Sequence, residues 1–142
     1  METRVELKVN GKSLEVTPDR GYVTLDRTWQ KGDEIQLELP VAPRFINAND
    51  EVKDLTGQIA ITAGPVVYSL EGNKNPELQQ IKIDTKSPMK ISFQPQLLNG
   101  VNLITGTAVN SKSEKVEFNA IPYFAIGNIK PGDMYKVWLI SQ

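Results

Sequence analysis

The sequence predicts an all-β chain of antiparallel strands, arranged as a β-sandwich of the immunoglobulin or jelly-roll kind. Three observations carry this. Apolar and polar residues alternate over short runs, turn signals return every ten residues or so, and no window sustains a 3.6-residue apolar stripe.

The alternation starts with Val5, Leu7 and Val9 on one face of an extended segment and Glu6 and Lys8 on the other. Asn10-Gly11 follows, the pair best suited to the two positive-φ positions of a type I′ turn. Leu14 and Val16 resume the pattern, so the two segments form a hairpin. Pro18-Asp19-Arg20-Gly21 supplies turn chemistry, after which Val23, Leu25, Arg27 and Trp29 share one face of a further strand. Lys31-Gly32-Asp33 leads into Ile35, Leu37 and Leu39, and Pro40 and Pro43 close this run because proline donates no ladder bond.

The polar stretch from Asn47 to Gly57 divides the chain into a partial β-unit, residues 1–46, packed on a complete sandwich, residues 47–142. Gln58 to Ala63 and Val66 to Leu70 are near-continuous apolar runs, as central strands covered on both faces require. Shorter segments follow at Ile81 to Ile83 and Ile91 to Phe93, the second bracketed by Pro88 and Pro95. Val101 to Val109, Lys115 to Ala120, Tyr123 to Ile126 and Met134 to Ile140 complete a set of about eleven strands.

Composition narrows the chemistry. With 16 basic and 17 acidic residues and a formal net charge of −1, the chain lacks the positive field that nucleic acid or an anionic membrane selects. It contains no cysteine and no histidine, which excludes disulfides, thiol nucleophiles, Cys/His zinc sites and Ser-His-Asp triads. No cofactor or metal is expected. Met1-Glu2-Thr3-Arg4 opens without an apolar signal core and no window approaches 18 apolar residues, so a soluble form is expected and its compartment stays unassigned.

Paired carboxylates are the catalytic apparatus this composition still permits. Asp33-Glu34 and Asp50-Glu51 lie in loops, however, and Glu6, Glu15, Glu38 and Glu117 lie on the solvated halves of strands, so the surface reading is preferred and no catalytic residue is assigned. The run Asn47 to Glu51 with Asp54 has oxygen ligands of the kind calcium uses, but an Asn/Asp-rich loop more commonly bonds its own backbone. Tyr22, Trp29, Tyr68, Tyr123, Tyr135 and Trp138 are the rings able to stack on a sugar; their phase with aliphatic neighbours favours the core, with Trp29, Tyr22 and Tyr135 kept as sugar-stacking candidates.

Taken in order, Val9-Asn10-Gly11-Lys12, Gly21-Tyr22-Val23, Arg27-Thr28-Trp29, Gly32-Asp33, Ala60 to Tyr68 with Glu71, Ile121 to Ala125 with Asn128, and Met134 with Val137-Trp138 form a pattern spanning nearly the whole chain. It resembles the C-terminal β-region of the beta-L-arabinofuranosidase-like proteins of glycoside hydrolase family 127. The resemblance implies an (α/α)6 catalytic barrel followed by two β-sandwiches, with this chain matching the later part of the first and the second. The family's catalytic cysteine and its zinc ligands belong to the barrel, and no residue here matches them. Where the family carries an aromatic and then Asn-Arg, this chain has Ile126-Gly127-Asn128-Ile129.

The resemblance implies structural or interface roles for Gly64, Pro65, Tyr68, Glu71, Pro122, Tyr123, Asn128 and Trp138. Gly64-Pro65 reads as a kink at a sheet rim, and Tyr68 and Tyr123 as pins between sheets or contacts to the barrel. The expected partner is that barrel, with a glycan and a second copy of the chain as further candidates. The expected function is a non-catalytic accessory region of a glycoside hydrolase; the rival is an independent carbohydrate-binding module.

Overall fold

A computed structural model describes residues 5–128 and 130–142. Met1 to Arg4 and Ile129, which enter the sequence readings above, lie outside the described residues. The chain forms two compact units, 1–41 and 42–142. The division expected after Ile46 falls inside a strand that runs from Pro43 to Asn47 and pairs within the second unit.

In the first unit, β1 (Glu6–Val9) is flanked by β2 (Lys12–Leu14) and β3 (Ile35–Glu38), both antiparallel to it. Val9 faces Lys12 across a two-residue turn in which Asn10 and Gly11 take φ values of 52° and 74°, the type I′ geometry that matches strand twist. Cross-strand partners share a face, so Leu14, Leu7 and Leu37 form one apolar row and Val9 and Ile35 extend it. Glu6, Lys8, Ser13, Gln36 and Glu38 occupy the other face, where Lys8 Nζ meets Glu6 at 3.1 Å. Leu7 and Val9 are buried, whereas Ile35, Leu37 and Leu39 are 52%, 54% and 61% exposed.

The strand expected over Val23 to Trp29 does not form. Tyr22 folds back to exchange backbone bonds with Asp19, and the segment beyond it is irregular. Just beyond the segment the Asp33 carboxylate accepts from the Gln30 N–H at 2.9 Å and from Asn10 Nδ2 at 2.7 Å. Alternation without a neighbouring strand leaves backbone groups unpaired, and such a segment finds other partners.

The second unit holds the core. Its strands are β4 (Pro43–Asn47), β5 (Gln58–Ala63), β6 (Val66–Glu71), β7 (Lys82–Ile83), β8 (Lys90–Gln94), β9 (Val101–Val109), β10 (Lys115–Pro122), β11 (Tyr135–Lys136) and β12 (Leu139–Ile140). They join in the order β12-β5-β6-β10-β9-β7, with β4 beside β5, β8 beside β9 and β11 beside β6. The sheet curls until its ends meet, because Ile83 bridges to Ser141 and the Gln142 N–H donates to the Ile83 carbonyl at 3.0 Å. This is the antiparallel, sandwich-like architecture expected. The apolar runs of β5 and β6 are central, as their composition requires.

Ile59, Ile61, Tyr68, Leu70, Ile83, Ile104, Phe118 and Leu139 meet inside, each contributing roughly 1.5–3 kcal/mol by leaving water. Phe118 on β10 needs Gly106 opposite it on β9: a Cβ at that glycine would come within 2.6 Å of the ring. Gly64-Pro65 is not a kink between continuing strands but the whole of the β5–β6 turn, since Ala63 faces Val66. Gly64 takes φ 56° and Pro65 follows with its fixed negative φ, the II′ combination of a tight hairpin. Two further expectations are corrected. Tyr123 to Ala125 forms one turn of 3₁₀ helix rather than a strand, and the run Met134 to Ile140 breaks at Val137-Trp138, with β11 and β12 serving different neighbours.

Candidate functional site

Motif residues far apart in sequence gather at one end of β6. Tyr68, Ser69, Leu70 and Glu71 close that strand, Pro122 lies opposite Tyr68, and Tyr135 lies opposite Glu71. The 3₁₀ turn that follows Pro122 carries Tyr123, and Asn128 stands just beyond it. Gly64-Pro65 lies at the other end of β6, Trp138 lies half-buried before β12, and Tyr22 and Trp29 belong to the first unit.

Beneath the surface of this cluster the polar groups hold strands. Glu71 is 2% exposed; its Oε1 accepts from the Gly127 N–H at 2.8 Å, and its Oε2 has no partner among the described residues. The buried Ser69 hydroxyl donates to the Lys136 carbonyl at 2.8 Å, fixing β11 against β6. Asn75 does more than any residue read from sequence. Its Nδ2 donates to the carbonyls of Glu71 and Asn119 at 2.8 and 2.9 Å, and its Oδ1 accepts from the Asn119 N–H at 2.7 Å. A side-chain amide thus substitutes for a strand residue beside β10. Asn128 Nδ2 donates to the Ala125 carbonyl at 3.1 Å and so caps the 3₁₀ turn.

Above this layer the turn presents rings to solvent. Tyr123, Phe124, Met134 and Tyr135 are all exposed, Phe124 to 71%. Tyr123 and Tyr135 meet edge to face with centroids 6.1 Å apart, and the Tyr135 phenol raises the Tyr123 ionisation above its ordinary value of 10.0. Phe124 also borders a shallow depression of about 300 Å³ with Leu98, Asn99, Val101, Ala125 and Asn128.

The expectation that the rings lie in the core holds for Tyr68, which is 2% exposed and whose ionisation is raised by burial. It is corrected for Tyr22, Trp29, Tyr123 and Tyr135, which are exposed. Turns, not strands, carry Tyr22 and Tyr123, so alternation with aliphatic neighbours does not set where those rings point. Trp29 lies under the Arg27 guanidinium at 4.9 Å, an arrangement that the Arg27–Asp33 contact of 3.5 Å supports. In the loop from Asn47 to Gly57, Asn49 Oδ1 accepts from the Glu51 N–H at 2.9 Å, the self-bonding expected of such a loop.

The fold and this cluster define a pair of antiparallel β-units whose buried polar residues join strands to one another. The family model described as the glycoside hydrolase family 127 C-terminal domain matches residues 43–140, and that of the beta-L-arabinofuranosidase middle domain of the same family matches residues 2–41. The chain belongs to glycoside hydrolase family 127, as its middle and C-terminal β-region. It is 30% identical to the non-reducing end beta-L-arabinofuranosidase of Bifidobacterium longum subsp. longum, over 90% of this chain and 23% of that protein. It is also similar to the crystal structure of a family 127 beta-L-arabinofuranosidase from Geobacillus stearothermophilus T6. That match has 31% identity and a TM-score of 0.89, covering 98% of this chain and 25% of the other. A second family 127 beta-arabinofuranosidase structure has 29% identity and a TM-score of 0.84, with 98% and 23% covered. The chain therefore spans about a quarter of the length of these relatives.

Proposed function

We propose that this chain is a non-catalytic accessory region of a beta-L-arabinofuranosidase-like glycoside hydrolase, supporting a catalytic (α/α)6 barrel. The observation that carries the reading is the use of the polar residues at this end of β6: Ser69, Asn75 and Asn128 spend polar atoms on the backbone of the chain itself. Four surface carboxylates argue the same way. Glu6, Asp33, Glu77 and Asp84 are all displaced toward lower pKa, chiefly by hydrogen bonds to Lys8, Gln30, Ser111 and Ser87 respectively. A glycosidase acid needs the opposite displacement to stay protonated near neutrality.

The barrel contact runs through the exposed Tyr123, Phe124 and Tyr135; the buried Glu71 and the exposed Asn128 hold the turn that presents the first two, and the buried Ser69 holds the strand that presents the third. The test is hydrolysis of a chromogenic beta-L-arabinofuranoside by the purified chain. No release is expected at any protein concentration, and release proportional to that concentration would overturn the reading.

A second reading is favoured by one observation, the exposed Phe124 ring beside Asn99 and Asn128, which offers a sugar a stacking face and amide groups together. In a carbohydrate-binding module, arabinose oligosaccharides would bind the chain and Phe124→Ala would abolish that binding. Calorimetry showing no heat of binding would remove it.

A further inference from the structure

We infer that Asn99, in the turn between β8 and β9, is a site of spontaneous modification, where the side-chain amide is lost to give aspartate and isoaspartate, and that the fold protects the same dipeptide at Asn10. The Asn-Gly pair occurs at Asn10-Gly11 and again at Asn99-Gly100. In such a pair the glycine nitrogen can attack the asparagine Cγ, because no side chain on the glycine stands in the way. The N–Cγ bond forms and the Cγ–Nδ2 bond breaks. The glycine nitrogen gives its proton to solvent base, and Nδ2 takes one from water and departs as ammonia. A second water opens the cyclic imide at either carbonyl, which leaves aspartate or, with the backbone rerouted through the side chain, isoaspartate. Water is the sole co-reactant, so the step depends on whether Cγ is free to swing onto the next nitrogen.

The two pairs differ in what holds that carbon. Asn10 Nδ2 donates to Asp33 Oδ1 at 2.7 Å, and Asn10 Oδ1 accepts from the Glu34 N–H at 2.9 Å. Both amide atoms are spent across the turn, one of them on a carboxylate, which makes the stronger bond. The Asn10 N–H also donates to the Glu34 carbonyl at 2.9 Å, and Val9 pairs with Lys12, so the backbone on either side of the pair is fixed. Turning Cγ toward Gly11 breaks both side-chain bonds at once.

Asn99 is exposed, and its amide makes no hydrogen bond among the described residues. Its backbone is under tension as well. Leu98, Asn99 and Gly100 take φ values of 50°, 63° and 107°, three successive residues in the left-handed region, where the Cβ of leucine is crowded and its side chain offers no local bond in return. The attacking nitrogen is restrained by one bond, from the Gly100 N–H to the Leu97 carbonyl at 2.9 Å. Opening the turn relieves Leu98 as it frees that nitrogen. The product sets a negative charge on the rim of the depression that Phe124 and Asn128 border.

The experiment is peptide mapping by mass spectrometry of the whole 142-residue chain, kept folded in mildly alkaline buffer, with ammonia release followed in parallel. The peptide carrying Asn99 should gain about one dalton, at a rate about tenfold or more above that of the peptide carrying Asn10. In urea the two peptides should convert alike, because the fold and not the dipeptide makes the difference. Asp33→Ala removes one of the bonds on Asn10 and should raise its rate in the folded chain about tenfold, with the Asn99 rate unchanged. Equal conversion of Asn10 and Asn99 in the folded chain overturns the inference. So does an Asn99 that converts in urea but stays intact when folded, or an Asn10 rate indifferent to Asp33→Ala.

Discussion

The two units are built from the same alternation of residues, yet only one of them puts its apolar side chains away. In the second unit, nine strands curl into one sheet whose ends join at Ile83 and Ser141, and side chains such as Phe118, Ile61 and Leu70 lose nearly all contact with water. In the first, three strands bury Leu7 and Val9 at the centre and leave Ile35 and Leu37 half in solvent. The difference teaches that alternation decides the face of a residue, while closure of the sheet decides whether the face is covered.

Substitution of one apolar residue in each unit tests that comparison most severely. Phe118→Ala should cost about 3–5 kcal/mol in urea unfolding, since it empties a ring-sized volume against Gly106, which cannot fill it. Leu37→Ala, at a residue 54% exposed, should stay within about 0.5 kcal/mol in the same measurement. Equal losses would break the distinction.

A smaller effect separates polar from apolar burial. Asn75→Ala leaves the N–H and C=O of Asn119 without their partner, at a cost of about 1–3 kcal/mol in the same measurement. A neutral result would mean that water replaces the amide and that the loop after β6 is not pinned.

The least of the effects concerns the first unit, which relies on exposed polar bonds where the second relies on burial. The folded-state pKa of Asp33 lies below its ordinary value of 3.8, mainly because of the Gln30 N–H and then of Asn10 and Arg27. Its stabilising contribution is therefore complete above 3.8 and is lost as pH falls through the lower folded value. Asp33→Asn should flatten the acid response of the Gln30 amide resonance, and Phe118→Ala should not. An unchanged titration in Asp33→Asn would show that the loop is held otherwise.

Much of the architecture was legible because its signals are local. Asn10-Gly11 prescribes a two-residue hairpin by itself, and the apolar runs of β5 and β6 state their own burial. The alternation of β9 and β10 likewise reads out both strands. What could not be read depends on a neighbour. Val23 to Trp29 alternates as well as β3 does, but among the described residues no strand lies beside it, and Asp33 contacts Arg27 and holds Gln30 just beyond its end. Tyr123 to Ala125 looks extended, yet the backbone turns there and turns its rings outward. At the candidate site, Glu71, Tyr68, Pro122 and Asn128 were found through the family pattern. Asn75 was not, because an amide in a polar loop gives no sign that it will meet a backbone 44 residues later.

The join between Ile83 and Ser141 bears on how the second unit is made by a ribosome. Its closing strand β12 pairs with β5, whose partner residue Ile59 precedes Leu139 by eighty positions. Hairpins such as β5–β6 and β9–β10 can assemble as they emerge, but the seam between β12 and its two neighbours waits for residues that are translated last within the unit. Until then the edges of β5 and β7 stand open, so the nascent unit passes through a period in which its own hydrogen bonds do not yet guard those edges.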